Sequence, residues 1–440
     1  MLGAEAPVRA RVALLGCGNV GGALARLLTE RAGEVAERTG VSFELVGVAV
    51  ADPARPRPGV PAALVTGDAK GLVARDDVDV VVELIGGLDP ARTLVESSLR
   101  AGRPVVTGNK ALLAELGGEL AALAAEHGVD LLYEAAVAGA IPVIRTLRES
   151  LAGERVQRVM GIVNGTTNFI LTNMAEEGVP YDDALAEAQR LGLAERDPTA
   201  DVEGHDAAAK AAILAALAFG SGVHGSEIPR EGITSVRSVD VAYADRLGYV
   251  VKLLAVAEQV GDGSAVSVRV HPAMVPRAHP LASVRGSFNA VFVEGERCGE
   301  LMLYGRGAGG VPTASAVLGD LVDAARNLRS GAHAPPPRHG AVRLQPADDV
   351  RSAFYLSLDV VDRPGVLAAV ATVFGNHGVS IKAMEQDGLG DEARLVFLTH
   401  TAREGDVRAT LDDLRRLQSV DRVGGVLRVV LPDGEDGTGG

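Results

Sequence analysis

The amino-terminal region contains an apolar segment, a glycine-rich turn and a helical segment in immediate succession. Residues 9–15 form a short apolar run, Gly16-Cys-Gly-Asn-Val-Gly21 follows, and residues 23–28 have a helical pattern. Glycines in such a turn let the backbone approach a pyrophosphate, which the positive end of the helix then stabilises. This order predicts a doubly wound, Rossmann-type α/β domain that binds a dinucleotide. A glycine turn that serves packing alone is the alternative. The predicted cofactor contacts in this motif are Gly16, Gly18, Asn19, Val20 and Gly21.

Residues after the second predicted strand, 43–50, bear on the choice of cofactor. Asp52 follows Ala51, and an acid at this place holds the ribose 2′-hydroxyl of NAD. Arg55 and Arg57 come soon after, and arginine at this place favours the 2′-phosphate of NADP. The sequence therefore predicts NAD or NADP and leaves the preference open.

Lysine is rare in this chain, which has five lysines against 38 arginines. A retained lysine marks an ammonium that can give up its proton, which a guanidinium does not do. Lys110 closes a predicted strand at residues 105–110, whose carboxyl end should face the ligand crevice. Lys210 lies on the apolar stripe of a helix that runs from Asp206 to about residue 219. These two lysines are the first candidates for chemistry. A surface lysine at 110 and a helix-end ion pair between 206 and 210 are the alternatives.

Composition limits the class of protein. A chain of 440 residues predicts two or three domains. The net charge of −14 and the absence of tryptophan argue against nucleic-acid partners. Cys17 and Cys298 make no disulfide framework and, with no export signal at the N-terminus, predict a reducing cytoplasm. No apolar run approaches the roughly 18 residues of a membrane span. We expect small-molecule partners and further copies of the chain.

The remaining motifs divide the chain into domains. Residues 131–142 predict a domain-crossing loop, in which main-chain carbonyls around Glu134 are a weaker indication of a cation site. Residues 164–168 favour a helix cap over a substrate anchor, and 301–310 form a second glycine turn before a helix at 314–328. A Pro-rich stretch marks a boundary. The predicted domains are a dinucleotide domain over 1–135 with 307–328 returning to it, an α+β catalytic and dimerisation domain over 136–328, a linker over 329–350, a ferredoxin-like βαββαβ domain over 351–432 and a disordered tail over 433–440.

The C-terminal βαββαβ order comes from alternating apolar patterns. We predict strands at 354–361, 378–381, 393–399 and 426–431, with helices at 366–374 and 406–417.

Together these motifs resemble homoserine dehydrogenase with a C-terminal ACT domain, over nearly the whole chain. The pieces are individually weak, but their order and spacing are highly specific. The residues that carry the resemblance are 16–21, 108–111, 134–142, 161–168, Glu195, 197–198, 201–210 and 307–309; residues 362–367 look like the ACT signature.

The resemblance implies reversible NAD(P)-dependent interconversion of L-aspartate 4-semialdehyde and L-homoserine, on the route to threonine, methionine and isoleucine. It implies that Lys210 is the acid/base and that Lys110 assists at substrate and cofactor. Threonine feedback through the ACT domain and a homodimer or homotetramer are carried over in the same way. The implied substrate contacts are Glu195, Asp206, Gly165 and Thr166; the further cofactor contacts are Lys110, Gly192, Gly307 and Gly309; the sodium ligands are Glu134, Val137, Gly139 and Ile141; the effector contacts are Asp362, Gly365 and Asn376.

The chain departs from the family pattern at two places. Leu193 stands where the family often has tyrosine beside the site glycine, which bears on substrate packing. Ala51 stands where many members have the arginine used for NADP, which bears on phosphate selectivity.

Two other classes of protein share parts of this pattern. Another amino-acid oxidoreductase, such as one that performs oxidative deamination, needs the same lysine, carboxylate and dinucleotide. A non-catalytic amino-acid sensor would keep the ACT module and the nucleotide fold but has no need of an acid/base set. A cysteine-dependent aldehyde dehydrogenase is disfavoured, because Cys17 lies in the phosphate turn and Cys298 has no evident partner.

We predict that Lys210→Ala nearly abolishes turnover while cofactor binding persists, because the reaction needs a proton donor for the developing alkoxide. Steady-state rates with homoserine and a direct titration with the nucleotide measure the two effects separately. Turnover close to the wild-type rate would contradict the role of Lys210.

Overall fold

The computed structural model describes residues 8–334, 342–388 and 390–431. The predicted disordered tail, 433–440, and residues 335–341 of the predicted linker lie outside these residues. Contacts within the chain divide it into two units. The first unit comprises Met1–Val159, Ala209–Glu227 and Asn289–Val342, and the second comprises Met160–Ala208, Ile228–Phe288 and Arg343–Gly440.

The helices and strands are numbered in chain order. Up to the boundary near residue 159 they are β1 (Val8–Leu15), α1 (Asn19–Glu30), α2 (Ala32–Thr39), β2 (Val41–Ala49), β3 (Val65–Thr66), α3 (Ala69–Val73), β4 (Val80–Glu83), α4 (Ala91–Arg100), β5 (Val105–Thr107), α5 (Lys110–Glu126), β6 (Leu131–Leu132), α6 (Val143–Arg145) and β7 (Val156–Ile162). From there to the linker they are α7 (Gly165–Glu177), α8 (Tyr181–Arg190), α9 (Thr199–Val202), α10 (His205–Phe219), α11 (Ser238–Arg246), β8 (Tyr249–Val260), β9 (Ala265–Pro276), β10 (Phe288–Gly295), β11 (Gly299–Arg306) and α12 (Gly310–Ser330). The last are β12 (Arg343–Leu344), β13 (Arg351–Val361), α13 (Val366–Asn376), β14 (Ile381–Gly388), β15 (Glu392–Thr399), β16 (Ala402–Arg403), α14 (Glu404–Leu414) and β17 (Val420–Val429).

The first unit is built on a six-stranded parallel sheet with strand order β3-β2-β1-β4-β5-β6. In its central strands, residues 12–15 of β1 and residues 80–82 of β4 are apolar runs buried on both faces, as parallel sheets require. Helix α12 returns to this sheet and packs Ala314, Val317 and Leu321 into the same core. The predicted doubly wound nucleotide fold is confirmed. The first unit also contains three neighbouring strands in the order β11-β10-β7, of which β11 is the outermost.

The second unit contains a sheet with strand order β8-β9-β17-β13-β15-β14. Strands β8 and β9 pair antiparallel along their whole length, and β17 joins the outer side of β9 in parallel. Helices α7 and α11 pack against β8 and against each other. Among the described residues, none of the helices combines the length and apolar character needed to cross a membrane.

The C-terminal domain has the predicted βαββαβ order, formed by β13, α13, β14, β15, α14 and β17 around one apolar core. The predicted strand at 378–381 is wrong, because the strand is Ile381–Gly388. Gly378 has a φ of 68° and turns the chain at the end of α13. The amide of Val379 then donates to the Phe374 carbonyl at 3.0 Å, so the buried Val379 closes the helix instead of starting the strand.

Helix α11 meets the C-terminal domain through a buried polar network around Asp240. The carboxylate of Asp240 is fully buried and accepts from the Arg237 guanidinium at 2.9 and 3.1 Å. It also accepts from the hydroxyls of Tyr355 at 3.0 Å and Ser357 at 2.8 Å, both on β13. A Cβ at Gly425 on β17 would collide with this carboxylate, so glycine is required there. Burial beside Asp240 raises the pKa of Tyr355, which keeps its hydroxyl a donor.

We predict that Asp240→Ala lowers the free energy of unfolding by about 3–5 kcal/mol, because it leaves the Arg237 charge and two hydroxyls without their buried acceptor. The control is Asp245→Ala on the same helix, whose carboxylate is largely exposed and pairs with Arg277 at the surface, so it should cost about 1 kcal/mol or less. Urea denaturation followed by circular dichroism suits a chain without tryptophan. Equal midpoints for the two variants would contradict the structural role of Asp240.

Candidate active site

The glycine turn between β1 and α1 opens into a cavity of about 950 Å³. The walls come from this turn, from the segments after β2 and β4, and from the start of α12. All of these lie at the carboxyl edge of the parallel sheet or at helix N-termini, where doubly wound domains bind nucleotides. Residues that line the cavity include Gly16, Cys17, Gly18, Asn19, Gly22, Ala51, Leu84, Ile85, Gly310 and Val311.

The three glycines of the motif have different structural roles. Gly16 has a φ of +92°, and a Cβ there would collide with the main chain of Leu84. A Cβ at Gly21 would collide with the Gly16 carbonyl, so this glycine lets α1 pack closely on the turn. Gly18 has no atom within 4 Å of an added Cβ and lines the cavity. Its open face is therefore where a pyrophosphate can approach the backbone.

The part of the cavity beyond β2 is positively charged. Arg26, Arg55 and Arg57 line it, and no acidic side chain belongs to the described lining. Asp52, which the sequence had offered as a ribose ligand, instead accepts from the amide of Ala54 at 3.1 Å and does not line the cavity. Arg57 donates to the Arg55 carbonyl at 2.8 Å, while its buried Nε has no hydrogen-bond partner among the described residues.

Cys17 lies in the same cavity as a free thiol. Burial raises the pKa of this thiol, and the nearby Arg57 and Arg26 act in the opposite direction. The net upward shift of the pKa disfavours the thiolate, the form in which cysteine acts as a nucleophile.

The predicted cofactor residues fall into three groups. Gly16, Gly18 and Asn19 line the cavity, whereas Val20 and Gly21 lie in the first turn of α1 behind it. At the second glycine turn the lining residues are Gly310 and Val311, which follow the predicted Gly307 and Gly309. A Cβ at Gly310 would lie 2.7 Å from the Asn19 carbonyl, so the two glycine turns touch. The other predicted contacts, Lys110 and Gly192, are not part of the lining of this cavity.

Lys110 begins a helix, which corrects the predicted strand at 105–110. Strand β5 ends at Thr107, and the Asn109 side chain caps α5 by accepting from the Leu112 amide at 3.1 Å. The same side chain donates to the Gly87 carbonyl at 2.7 Å and weakly, at 3.4 Å, to the buried carboxylate of Glu83. The short strand ends early because Asn109 prefers a cap to a strand position. This cap fixes the half-buried Lys110 at the first residue of α5.

Glu83 is a positioning residue that sequence reasoning missed. Its carboxylate is fully buried at the end of β4 and accepts from the Thr107 hydroxyl at 2.6 Å and from the Ile85 amide at 2.8 Å. It therefore holds together the segments that follow β4 and β5. The residues around Glu83 have the apolar pattern of an ordinary buried strand. The glutamate at the end of this apolar strand was the one sequence feature that could have indicated a buried, hydrogen-bonded acid.

Lys210 lies on α10, and only 8% of its surface is exposed. Ile213 and Leu214 on the same stripe are 4% and 1% exposed, so the predicted core-facing stripe is confirmed. Asp206, at the start of this helix, is 7% exposed. An ordinary solvated ion pair at the helix end is therefore excluded for these two residues.

Lys252 is also buried, with 1% of its surface exposed, and sequence analysis had given it no role. Its Nζ donates to the Asn168 side chain at 2.9 Å and to the Val284 carbonyl at 2.5 Å. Burial lowers its pKa to about 8. A retained lysine in this chain can therefore be a buried structural residue, as Lys252 is, and not only a candidate for chemistry, as Lys110 and Lys210 are.

The second unit brings two carboxylates to one asparagine. Asn164, 5% exposed, donates from its Nδ2 to Asp201 at 2.7 Å and to Asp206 at 2.8 Å. Its Oδ1 accepts from the Thr167 amide at 2.9 Å and so caps α7, as the sequence favoured. Asn164 and Asp201 were not among the predicted site residues. The available signals were the position of Asn164 before Gly165 and the density of acids in residues 192–210.

The other predicted substrate residues lie around this cluster or next to it in the chain. Gly165 is the first residue of α7, and the buried Thr166 donates to the Leu193 carbonyl at 2.8 Å. Gly192, with a φ of 71°, makes the left-handed turn that leads into this segment. Glu195 is exposed, and its carbonyl accepts from Gln189.

The predicted cation ligands lie in the buried loop before α6. The Glu134 carboxylate accepts from the amides of Ile144 and Arg145, both at 2.8 Å, and burial raises its pKa. Ala138 and Gly139 both have a φ of 56°, so two consecutive residues are left-handed. The described residues contain no cluster of three or more His, Cys, Asp or Glu side chains that could hold a metal ion. A cation at the predicted residues would thus depend on main-chain oxygens, including those of Val137 and Ile141.

The predicted effector residues do not form one site within one chain. Gly365 has a φ of 90° and caps α13, and Asp362 lies beside it in the loop after β13. Asn376 is the last residue of the same 11-residue helix. At about 1.5 Å per residue the two ends are roughly 15 Å apart, which exceeds the reach of a small amino acid.

An open glycine turn on a doubly wound sheet, buried lysines and a separate C-terminal βαββαβ domain are together typical of an NAD(P)-dependent oxidoreductase that carries an additional small domain. Comparison with known families supports this class. Residues 16–134 match the NAD-binding domain of homoserine dehydrogenase, residues 142–322 match homoserine dehydrogenase, and residues 354–419 match the ACT domain.

Individual relatives agree along the whole chain. Homoserine dehydrogenase of Corynebacterium glutamicum is 50% identical over 422 residues, which cover 95% of each chain. The Mycobacterium tuberculosis enzyme is 50% identical over 439 residues, covering 98% of this chain and 99% of the relative. The crystal structure of a homoserine dehydrogenase from Thiobacillus denitrificans superposes with a TM-score of 0.91 at 40% identity, covering 96% of this chain and 98% of the other.

The chain therefore belongs to the homoserine dehydrogenase family. It is an NAD(P)-dependent oxidoreductase that interconverts L-aspartate 4-semialdehyde and L-homoserine, and it carries an ACT domain.

We predict that Gly18→Ala weakens NADPH binding by about tenfold or more, since the new methyl group occupies the space that the pyrophosphate needs. The melting temperature of the nucleotide-free protein should not change, because the added Cβ meets no protein atom and φ is −82°. The control is Gly33→Ala on α2, which also has open space but lies outside the cavity. Calorimetric titration measures the affinity, and equal affinities for the two variants would contradict the site.

Proposed function

We propose that Lys210 is the acid/base of the reaction and that Lys110 assists it. Reduction of an aldehyde needs a hydride at carbon and a proton at the developing alkoxide oxygen. The nicotinamide, when bound, supplies the hydride. The Lys210 ammonium donates the proton during reduction and becomes a neutral amine, which takes the proton from the homoserine hydroxyl during oxidation. The observation that carries this proposal is the burial of a lysine on the apolar stripe of α10, because a charged group is not placed there for solubility.

The substrate's amino-acid end is held by carboxylates of the second unit. In this proposal Asp206 and Glu195 bind homoserine, and the ammonium group is the natural partner for such acids. Gly165 and Thr166 contribute the first turn of α7, whose positive end favours an anionic group such as the substrate carboxylate. Leu193 adds an apolar side chain next to these residues, because its own carbonyl accepts the hydrogen bond from the Thr166 hydroxyl.

NADP is the preferred cofactor in this proposal. The lining of the cavity contains Arg26, Arg55 and Arg57 without a carboxylate, and the buried Nε of Arg57 lacks a partner among the described residues. A 2′-phosphate would be matched in charge, whereas Asp52 is turned into its own loop and does not serve a ribose 2′-hydroxyl. A hyperthermophilic archaeal homoserine dehydrogenase, similar to this chain at 30% identity with a TM-score of 0.61, has been solved in complex with NADPH.

A monovalent cation, sodium, would stabilise the loop at residues 134–142. The fit rests on the two consecutive left-handed residues, Ala138 and Gly139, in a buried loop beside the Glu134 carboxylate. Hard cations take oxygen ligands, and the loop offers main-chain carbonyls together with one acid. The proposed ligands are Glu134, Val137, Gly139 and Ile141.

The ACT domain serves as the regulatory module, with threonine as its effector. Support comes from α11, whose Asp240 accepts a hydrogen bond from Ser357 on the ACT strand β13, while the same helix also packs on α7. Because Asp362 and Asn376 lie at opposite ends of α13, one effector would contact both only when two ACT domains pair. This requirement favours a homodimer or homotetramer.

The outer strand β11 gives a second indication of self-association. Leu301, Met302 and Tyr304 on this strand are 37%, 38% and 52% exposed. An outer strand with exposed apolar side chains is a ready pairing surface for another copy of the chain. We place the assembled enzyme in the reducing cytoplasm, which the free thiols of Cys17 and Cys298 support.

We predict that homoserine oxidation is faster with NADP than with NAD and that Arg57→Ala removes this preference. Loss of a charge-assisted contact should lower kcat/KM for NADP about tenfold to a hundredfold and leave the value for NAD nearly unchanged. Initial rates with each nucleotide, with and without threonine, measure reaction, cofactor and regulation together.

The matched control for Arg57→Ala is Arg31→Ala, which removes an exposed arginine outside the cavity. Equal losses with NADP and NAD in the Arg57 variant would contradict a phosphate contact. Rates that threonine does not alter at any concentration would contradict the proposed effector.

A further inference from the structure

The Asn164 side chain uses both of its donors and its acceptor oxygen in hydrogen bonds. The amide has two donors and two acceptor lone pairs. Both donors are taken by carboxylates, Asp201 at 2.7 Å and Asp206 at 2.8 Å. The Oδ1 accepts from the Thr167 amide at 2.9 Å and lies 3.1 Å from the Thr167 hydroxyl. With 5% of its surface exposed, this side chain has no freedom to rotate without breaking several bonds.

The two carboxylates come from different elements that are distant in sequence from Asn164. Asp201 belongs to the single turn α9 and Asp206 to the first turn of α10. Asn164 therefore ties each carboxylate to the start of α7, which begins with Gly165 and Thr166. The Asn164 amide thus links the acids on α9 and α10 to the first turn of α7.

A neutral amide has a specific advantage here over a basic side chain. Lysine or arginine at this position would neutralise the two carboxylates, and the acids would then attract a substrate ammonium less strongly. The amide orients the acids through hydrogen bonds and cancels no charge. The Asp201 and Asp206 carboxylates lie close together around one nitrogen, which raises the negative potential that an ammonium group would meet.

We infer that Asn164 is a positioning residue for substrate binding, which holds Asp201 and Asp206 in the geometry that receives the amino group of homoserine. This inference rests on the proposed role of Asp206 at the substrate. Asn164 is not among the residues that line the nucleotide cavity, and we expect its loss to act on substrate affinity more than on the rate of the chemical step.

Asn164→Asp tests the inference, because aspartate caps a helix as well as asparagine does but has no N–H donor. The KM for homoserine should rise about tenfold to a hundredfold at pH 8, with a smaller change in kcat and an unchanged KM for NADP. The ratio of variant to wild-type kcat/KM should recover as the pH is lowered, since protonation of the introduced carboxylate restores one donor and removes its repulsion of the neighbouring acids. A cap with a purely structural role would give no such recovery.

The control is Asn173→Asp, which adds the same charge to the same helix away from the two acids. Asn164→Ser provides a second variant in case the aspartate variant does not fold. Serine keeps the cap, and its single hydroxyl proton serves at most one carboxylate, so the KM should rise less than with aspartate.

Asp206→Asn distinguishes a failure of the proposed substrate site from a failure of the positioning role of Asn164. If this variant keeps the wild-type KM for homoserine, the proposed substrate site itself is wrong. If Asp206→Asn raises the KM while Asn164→Asp and Asn164→Ser do not, the substrate site stands and the positioning role of Asn164 is overturned.

Discussion

Two asparagine side chains each accept a hydrogen bond through the amide oxygen and donate through the amide nitrogen, and in this way they fix where α5 and α7 begin. Asn109 caps α5 with its oxygen and donates to the Gly87 carbonyl and, at 3.4 Å, to Glu83. Asn164 caps α7 with its oxygen and donates to Asp201 and Asp206. A cap fixes where a helix begins, and the donor side ties that beginning to a distant segment. Lys110 and the Gly165-Thr166 turn owe their positions to these bonds.

Two buried charged groups, Asp240 and Lys252, have a structural role, as their hydrogen-bond partners show. Asp240 is neutralised by a bidentate arginine and satisfied by two hydroxyls, so it joins α11 to the ACT strands as a structural element. Lys252 donates to an amide and a carbonyl, and its lowered pKa reflects the energetic cost of that burial. Such fully bonded groups contribute to a unique packing and are not available to a ligand.

Structural features that depend on a few neighbouring residues could be predicted from the sequence. Short apolar runs predicted the parallel strands, and alternating apolar residues predicted the ACT order. The glycine motif predicted the first βα turn, and the 3.6-residue period placed Lys210 on a buried stripe. One error occurred where the outcome depends on distant partners. The start of α5 at Lys110 depends on a cap that Glu83 and Gly87 hold from outside the helix. The error at 378–381 is local instead, because the left-handed Gly378 lets the Val379 amide bond to the Phe374 carbonyl and so delays the strand. The pairing of Asn164 with acids 37 and 42 residues away has no local signature.

The difference between an arginine and an amide as the partner of an acid explains which carboxylates remain suited to a cationic substrate. A guanidinium lowers the negative potential around Asp240 and also fills its acceptor positions, so little attraction for a further cation is left. The amide of Asn164 orients Asp201 and Asp206 through hydrogen bonds and, being neutral, itself cancels none of their charge. A site that must bind an ammonium group needs acids that are held in place without being neutralised. Asparagine is the side chain that combines this property with a helix cap, and no basic residue can replace it.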